Sequence, residues 1–106
     1  MNALYIQDKF LSRNKFIENF QFLYCNATVE NSIYLASILR NTETLVDVAF
    51  DHNPLKGDGI INLFMGIKEN PSTKIKRISL RYCDAYGDFC EALAPILGKN
   101  KTIMYE

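Results

Sequence analysis

The sequence predicts an α/β solenoid, with a short parallel sheet on a concave face and helices on the convex one. Three observations carry this. Leu45, Val48 and Phe50, followed by Asn53 and Leu55, read as a short strand running into a turn. Ile60, Leu63, Phe64 and Ile67 then fall at i, i+3, i+4 and i+7, one face of a helix. The same strand start recurs at Ile17, Leu45, Ile75 and Ile103, in steps of 28, 30 and 28 residues. One strand and one helix cannot bury their own apolar faces, so each unit needs a copy beside it.

The first string reads Ile17, Phe20, Phe22, Cys25, Ala27 and the third Ile75, Ile78, Leu80, Cys83, Ala85. Together with the second they fit the pattern L-x-x-L-x-L-x-x-N-x-L. This resembles the ribonuclease-inhibitor type of leucine-rich repeat, from Ile17 to Met104. The resemblance implies a curved slab that binds other proteins, and many unrelated binding proteins share it. The expected layout is an N-terminal capping helix over 1–16, repeats over 17–44, 45–74 and 75–102, and a partial repeat over 103–106.

In order along the chain, Leu4 and Leu11 supply an apolar face for the capping helix, while Gln7 and Asp8 suit a face turned to water. A strand over 19–23 follows. Thr28 to Asn31 offers side-chain oxygens to the free amides of a helix start. That helix runs to about Arg40, and Asn41 suits a left-handed exit. In the second unit Gly57, Asp58 and Gly59 break the backbone, Asp58 is the expected N-cap, and Asn70-Pro71 stops the helix. Pro71 to Lys74 takes up the two extra residues of this unit. In the third, Pro95 lies inside the expected helix and removes an amide, which predicts a kink or a late start. Ile103 opens a fourth strand with an open edge.

The chain has 106 residues, enough for one domain, with 12 basic and 12 acidic side chains. Zero formal net charge removes the usual electrostatic signature of a nucleic-acid or anionic-membrane partner. No apolar run approaches the ~18 residues of a spanning helix. MNALYIQDKF lacks a basic n-region and carries Asp8 where a signal peptide would be apolar. A cytoplasmic location is expected. The three cysteines agree: Cys25 and Cys83 sit at the corner that Asn53 occupies between them, and the resemblance implies that Cys and Asn alternate there. Two units apart they would be roughly 10 Å from each other, too far for a disulfide. Buried, reduced thiols are expected, with no cofactor and no metal.

Alternation along the strands assigns outward columns. One reads Asn19, Asp47, Arg77, Tyr105; the next Gln21, Ala49, Ser79; the third Leu23, Asp51, Arg81. Asp47 beside Arg77 and Asp51 beside Arg81 predict two cross-strand ion pairs, either plain surface pairing at ~0–1 kcal/mol each or part of a contact. One position on, Tyr24, His52 and Tyr82 form a column of rings where the strands turn, and aromatic side chains of this kind anchor protein interfaces. They either cover the turn or bind a partner. His52 is the only histidine, and no serine or cysteine nucleophile accompanies it on this open sheet.

The sequence therefore points to a non-enzymatic protein-interaction module or scaffold subunit. Its candidate partner-binding residues are Leu23, Tyr24, Asp47, Asp51, His52, Arg77, Arg81, Tyr82 and Tyr105. The C-terminal edge is expected to dock on another chain or on further repeats. Two alternatives stand beside this. The array also resembles Ran GTPase-activating proteins, without their length or acidic tail. It is similar, too, to the actin-capping domain of tropomodulin, which implies a cytoskeletal subunit.

Overall fold

The computed structural model describes residues 16–85, 93 and 95, and the strand 102–105. The order is β1 (Asn19–Gln21), α1 (Val29–Asn41), β2 (Asp47–Ala49), α2 (Lys56–Lys68), β3 (Arg77–Leu80) and β4 (Thr102–Tyr105). All strands are parallel and lie side by side in chain order. Successive crossovers run in one direction across the sheet, and right-handed crossovers then put α1 and α2 on the same side.

The core fills the space between. Val48, Phe50, Ile78 and Leu80 reach it from the sheet, and Leu35, Ile38, Leu39, Ile60, Leu63, Phe64 and Ile67 from the helices. The residues read as the helical face at Ile60 to Ile67 are all buried. Burying each such side chain stabilises the fold by about 1.5–3 kcal/mol before chain entropy is counted. The helices approach closely at Gly66, where a Cβ would lie 2.5 Å from the Ala36 carbonyl oxygen. No other residue type fits there without moving α1 away from α2.

α1 begins as expected. The Asn31 side chain accepts from the Thr28 amide at 3.1 Å and from its hydroxyl at 3.2 Å. Its end differs, for Asn41 is the last helical residue and donates back to the Ser37 carbonyl at 2.8 Å. The exit falls to Thr42, in an extended conformation, whose hydroxyl accepts the Leu45 amide at 3.1 Å.

The second helix also departs from the expectation. Gly57, Asp58 and Gly59 do not break the backbone; they form its first turn, with Leu55 before it. Asp58 sits in that turn, where a carboxylate complements the positive helix end. Past His52, the left-handed residue at the helix entry is Lys56, at φ 58°. In the flanking units it is Asn26 and Asp84, both at φ 59°. Proline 54 holds the place equivalent to these two and cannot adopt that angle, so the bend moves on to Lys56.

β4 corrects the expected register. Ile103 pairs with Ile78, not with the start position Ile75, and Thr102 takes the place beside Arg77 that Tyr105 was assigned. Tyr105 pairs with Leu80. Phe20, Val48, Ile78 and Ile103 are thus equivalent, and the last step is 25 residues where the earlier ones are 28 and 30. A shorter link pulls the strand on by three residues, an odd number, which exchanges the two faces of a period-two element. The expected capping helix lies, but for Phe16, outside the described residues. So does most of the third helix with Cys90; Leu93 and Pro95 are helical.

Candidate protein-interaction surface

The strands set the register of the open sheet face. Asp47 lies between Asn19 and Arg77, and Ala49 between Gln21 and Ser79. The ladder continues past the strands: the Tyr24 amide donates to the Asp51 carbonyl at 3.3 Å, and the His52 amide to that of Arg81 at 2.9 Å. The third column is therefore aligned as well.

Of the two expected ion pairs, one forms. Arg77 grips both carboxylate oxygens of Asp47 through Nε and Nη2, the latter at 2.6 Å. The hydrogen bonds, and then the charge, of the guanidinium hold the Asp47 carboxyl below the ordinary carboxylate range. No ion pair joins Asp51 to Arg81. Asp51 Oδ1 instead accepts the Ser79 hydroxyl at 2.6 Å and the Arg81 backbone amide at 2.8 Å. Asp51 lies at the corner where the chain leaves β2, and a backbone amide fixed by the ladder offers a donor without ordering a long side chain. Ser79 was not among the expected contact residues. Its place in the outward column directly across from Ala49 was the available signal.

Beyond these columns the rings of Tyr24, His52 and Tyr82 stack. Tyr24 and His52 have centroids 4.1 Å apart at 10°, and His52 and Tyr82 4.7 Å apart at 22°. All three residues have left-handed backbones, at φ 54°, 60° and 56°. This turns the chain sharply and places the rings in file along the corner. Tyr24 is 73% exposed and Tyr82 55%, with His52 half-buried between them and Leu23 half-buried beside Tyr24. The column follows from strand alternation, whereas the left-handed backbone has no such signal.

Beneath the rings, Asn53 is fully buried and ties two units together. Its Oδ1 accepts the Cys25 amide at 2.9 Å and the Ala27 amide at 3.1 Å; its Nδ2 donates to the Phe22 carbonyl at 2.6 Å and the Phe50 carbonyl at 2.9 Å. Cys83, also buried, directs its thiol to the Phe50 carbonyl at 3.2 Å, again in the preceding unit. Cys25 departs from the expectation and is exposed. The corner residue reaches back to the strand before it, and among the described residues β1 has none, so its thiol meets its own Leu23 carbonyl at 3.1 Å. Asn70 repeats the device at the helix exit, donating to the Leu39 and Thr42 carbonyls at 3.0 and 2.6 Å.

Among the described residues no three His, Cys, Asp or Glu side chains gather as metal ligands, and no helix is long and apolar enough to cross a membrane.

Known proteins resemble this chain in sequence and in fold. NACHT, LRR and PYD domains-containing protein 4C of Mus musculus is 29% identical over 87 residues, 82% of this chain and 9% of that protein. The ribonuclease inhibitor of Mus musculus is 25% identical over 87 residues, again 82% of this chain and 19% of that protein. These relatives are leucine-rich-repeat proteins. The chain spans under a fifth of the length of each. The solved structure of leiomodin-1 actin-binding site 2 superposes with a TM-score of 0.78 at 17% identity. That match covers 97% of this chain and 61% of the other, and is a likeness of fold. No protein-family model matches.

Proposed function

We propose that the chain is a leucine-rich-repeat solenoid of the ribonuclease-inhibitor type whose concave sheet face binds a protein partner. It acts by holding that partner and not by catalysis. The observation that carries the reading is the exposed ring ladder Tyr24–His52–Tyr82 on three left-handed residues. A bulky side chain at positive φ is disfavoured, and such conformations cluster at functional sites. Stacked rings give large contact area at low entropy cost, the property of interface anchors. Leu23, Asp47, Asp51, Arg77 and Arg81 frame the ladder. Tyr105, displaced from the Arg77 column, belongs to a second contact: β4 pairs with β3 alone among the described residues. Its other edge offers backbone groups to another chain or to further repeats.

The test is capture of partners from extract by the full chain, identified by mass spectrometry and confirmed with purified partner. A variant with Tyr24, His52 and Tyr82 all changed to Asn, which tolerates the left-handed backbone, is the comparison. Loss of the purified partner with the fold intact is expected. Retention of every partner would remove the ladder from the binding surface.

The likeness to an actin-binding site favours one second reading, a cytoskeletal subunit in the cytoplasm. Co-sedimentation with filamentous actin decides it: pelleting that depends on the ring ladder supports this reading, and none at saturating filament concentration ends it.

A further inference from the structure

We infer that two copies of the chain pair weakly, back to back and antiparallel, through the outer faces of α1 and α2. This goes beyond the concave-face reading and uses the side of the molecule away from the sheet. The buried positions of the two helices coincide at a step of 28 residues: Ser32, Leu35, Ala36, Ile38 and Leu39 in α1 match Ile60, Leu63, Phe64, Gly66 and Ile67 in α2. The same step aligns their outer sides. Glu30, Ile33 and Arg40 on α1 match Asp58, Ile61 and Lys68 on α2, and all six are exposed. From first turn to last, each helix reads acid, isoleucine, base. Ile33 is 62% exposed, and with Met65, itself 39% exposed, it lines a groove of about 260 Å³ between the helices. The third unit does not continue the pattern, for its sequence has Glu91 in the place of the isoleucine and Gly98 in that of the base.

Such a face complements itself only when reversed. Laid parallel on a second copy, acid meets acid and base meets base. Turned about a two-fold axis between the helices, α1 of one copy runs antiparallel over α2 of the other. Glu30 then meets Lys68 and Asp58 meets Arg40, twice each, while Ile33 enters the other copy's groove against Met65. The charges are available for this. Glu30, Asp58 and Lys68 form no ion pair among the described residues, and Arg40 donates to Glu69 at 2.8 Å through Nε alone. Acids in a first turn and bases in a last one complement the helix ends, which accounts for their signs. The exposed Ile33 beside Met65 has no such role within one copy, and burial against another supplies it. Two 13-residue helices, at about 1.5 Å per residue and about 10 Å apart, present roughly 400 Å² per copy. That is about half of a standard interface, so the dimer is weak and concentration-dependent.

Sedimentation velocity of the full chain should show monomer passing to dimer as concentration rises toward about 1 mM, the range of a small interface. Ile33→Ser should weaken association about tenfold or more, because the two-fold axis removes two buried side chains per dimer. Glu30→Lys and Lys68→Glu should each stay monomeric over the same range, yet pair with one another when mixed, since opposite charges then face across both halves of the contact. Circular dichroism checks that each variant keeps its helices. The same charge changes placed off the helices, Glu18→Lys and Lys76→Glu, should leave dimerisation of each variant as in wild type. A monomer throughout, a dimer indifferent to Ile33→Ser, or charge variants that fail to pair on mixing would each overturn the inference. The variant with Tyr24, His52 and Tyr82 changed to Asn should dimerise as wild type does. Loss there would overturn the inference by moving the contact to the sheet face, and would leave the reading of the ring ladder standing.

Discussion

Tyr24, His52 and Tyr82 occupy backbone angles where most side chains are disfavoured, by roughly 1–2 kcal/mol in the left-handed region. A stacked aromatic pair returns about 0.5–1.5 kcal/mol beyond its area. The two effects nearly cancel, so Tyr24→Gly should leave folding stability within about 1 kcal/mol of wild type while abolishing partner binding; denaturant unfolding beside a binding assay checks both halves. Asp47 makes a pH-dependent contribution. Its carboxyl is held below the ordinary range by Arg77, so the stabilisation is fully present above the usual Asp value and is lost as pH falls through the depressed one. The Asp47 titration followed by carbon NMR should have its midpoint below that of an unstructured Asp peptide, and Arg77→Gln should move it upward. Asn53 carries the larger burden. Asn53→Ala strands the Cys25 and Ala27 amides and the Phe22 carbonyl, and should cost about 2–4 kcal/mol in chemical denaturation.

At the scale of elements, the α1–α2 contact turns on one missing methyl group. Gly66→Ala would press a carbon against the Ala36 carbonyl, and overpacking of this kind costs about 1–3 kcal/mol. A lowered melting temperature with unchanged sheet content by circular dichroism is the expected result. Strand and helix faces from Ile17 to Ile78 were legible because apolar spacing of two and of 3.6 residues reports directly on burial. The helix start at Lys56 was not. Glycine signals a break by propensity alone, whereas here close packing of Gly59 on Leu55, with its Cβ position 3.1 Å from that side chain, recruits the glycines into the helix. The β4 register was hidden for a different reason. The link before β4 is three residues shorter than the 28-residue repeat, and a single apolar residue such as Ile103 fits either position. Likewise the outward columns were legible from alternation, but whether Asp51 would choose the Arg81 side chain or its amide depends on the corner's shape.

For the molecule as a whole, β2 is paired on both sides, with β1 and β3, and is followed by α2 and preceded by α1. In stacks where each unit touches only its neighbours, opening proceeds from the ends. Native-state hydrogen exchange should therefore be slowest at Val48 and Phe50, the latter donating to the Ser79 carbonyl at 2.9 Å, and faster at Phe22. Uniform exchange rates across all strands would show that the described region opens as one body.

The grip of Asn53 and Asn70 has a direction. Each reaches backward along the chain, and Cys83 does the same with its thiol. Trimming such an array from its front therefore leaves asparagines with nothing to hold, whereas trimming from the rear strips amides and carbonyls of the partners they had borrowed. Anyone grafting units onto this scaffold should splice ahead of a corner asparagine together with the stretch it clasps, since a joint placed between them would separate the hook from its eye.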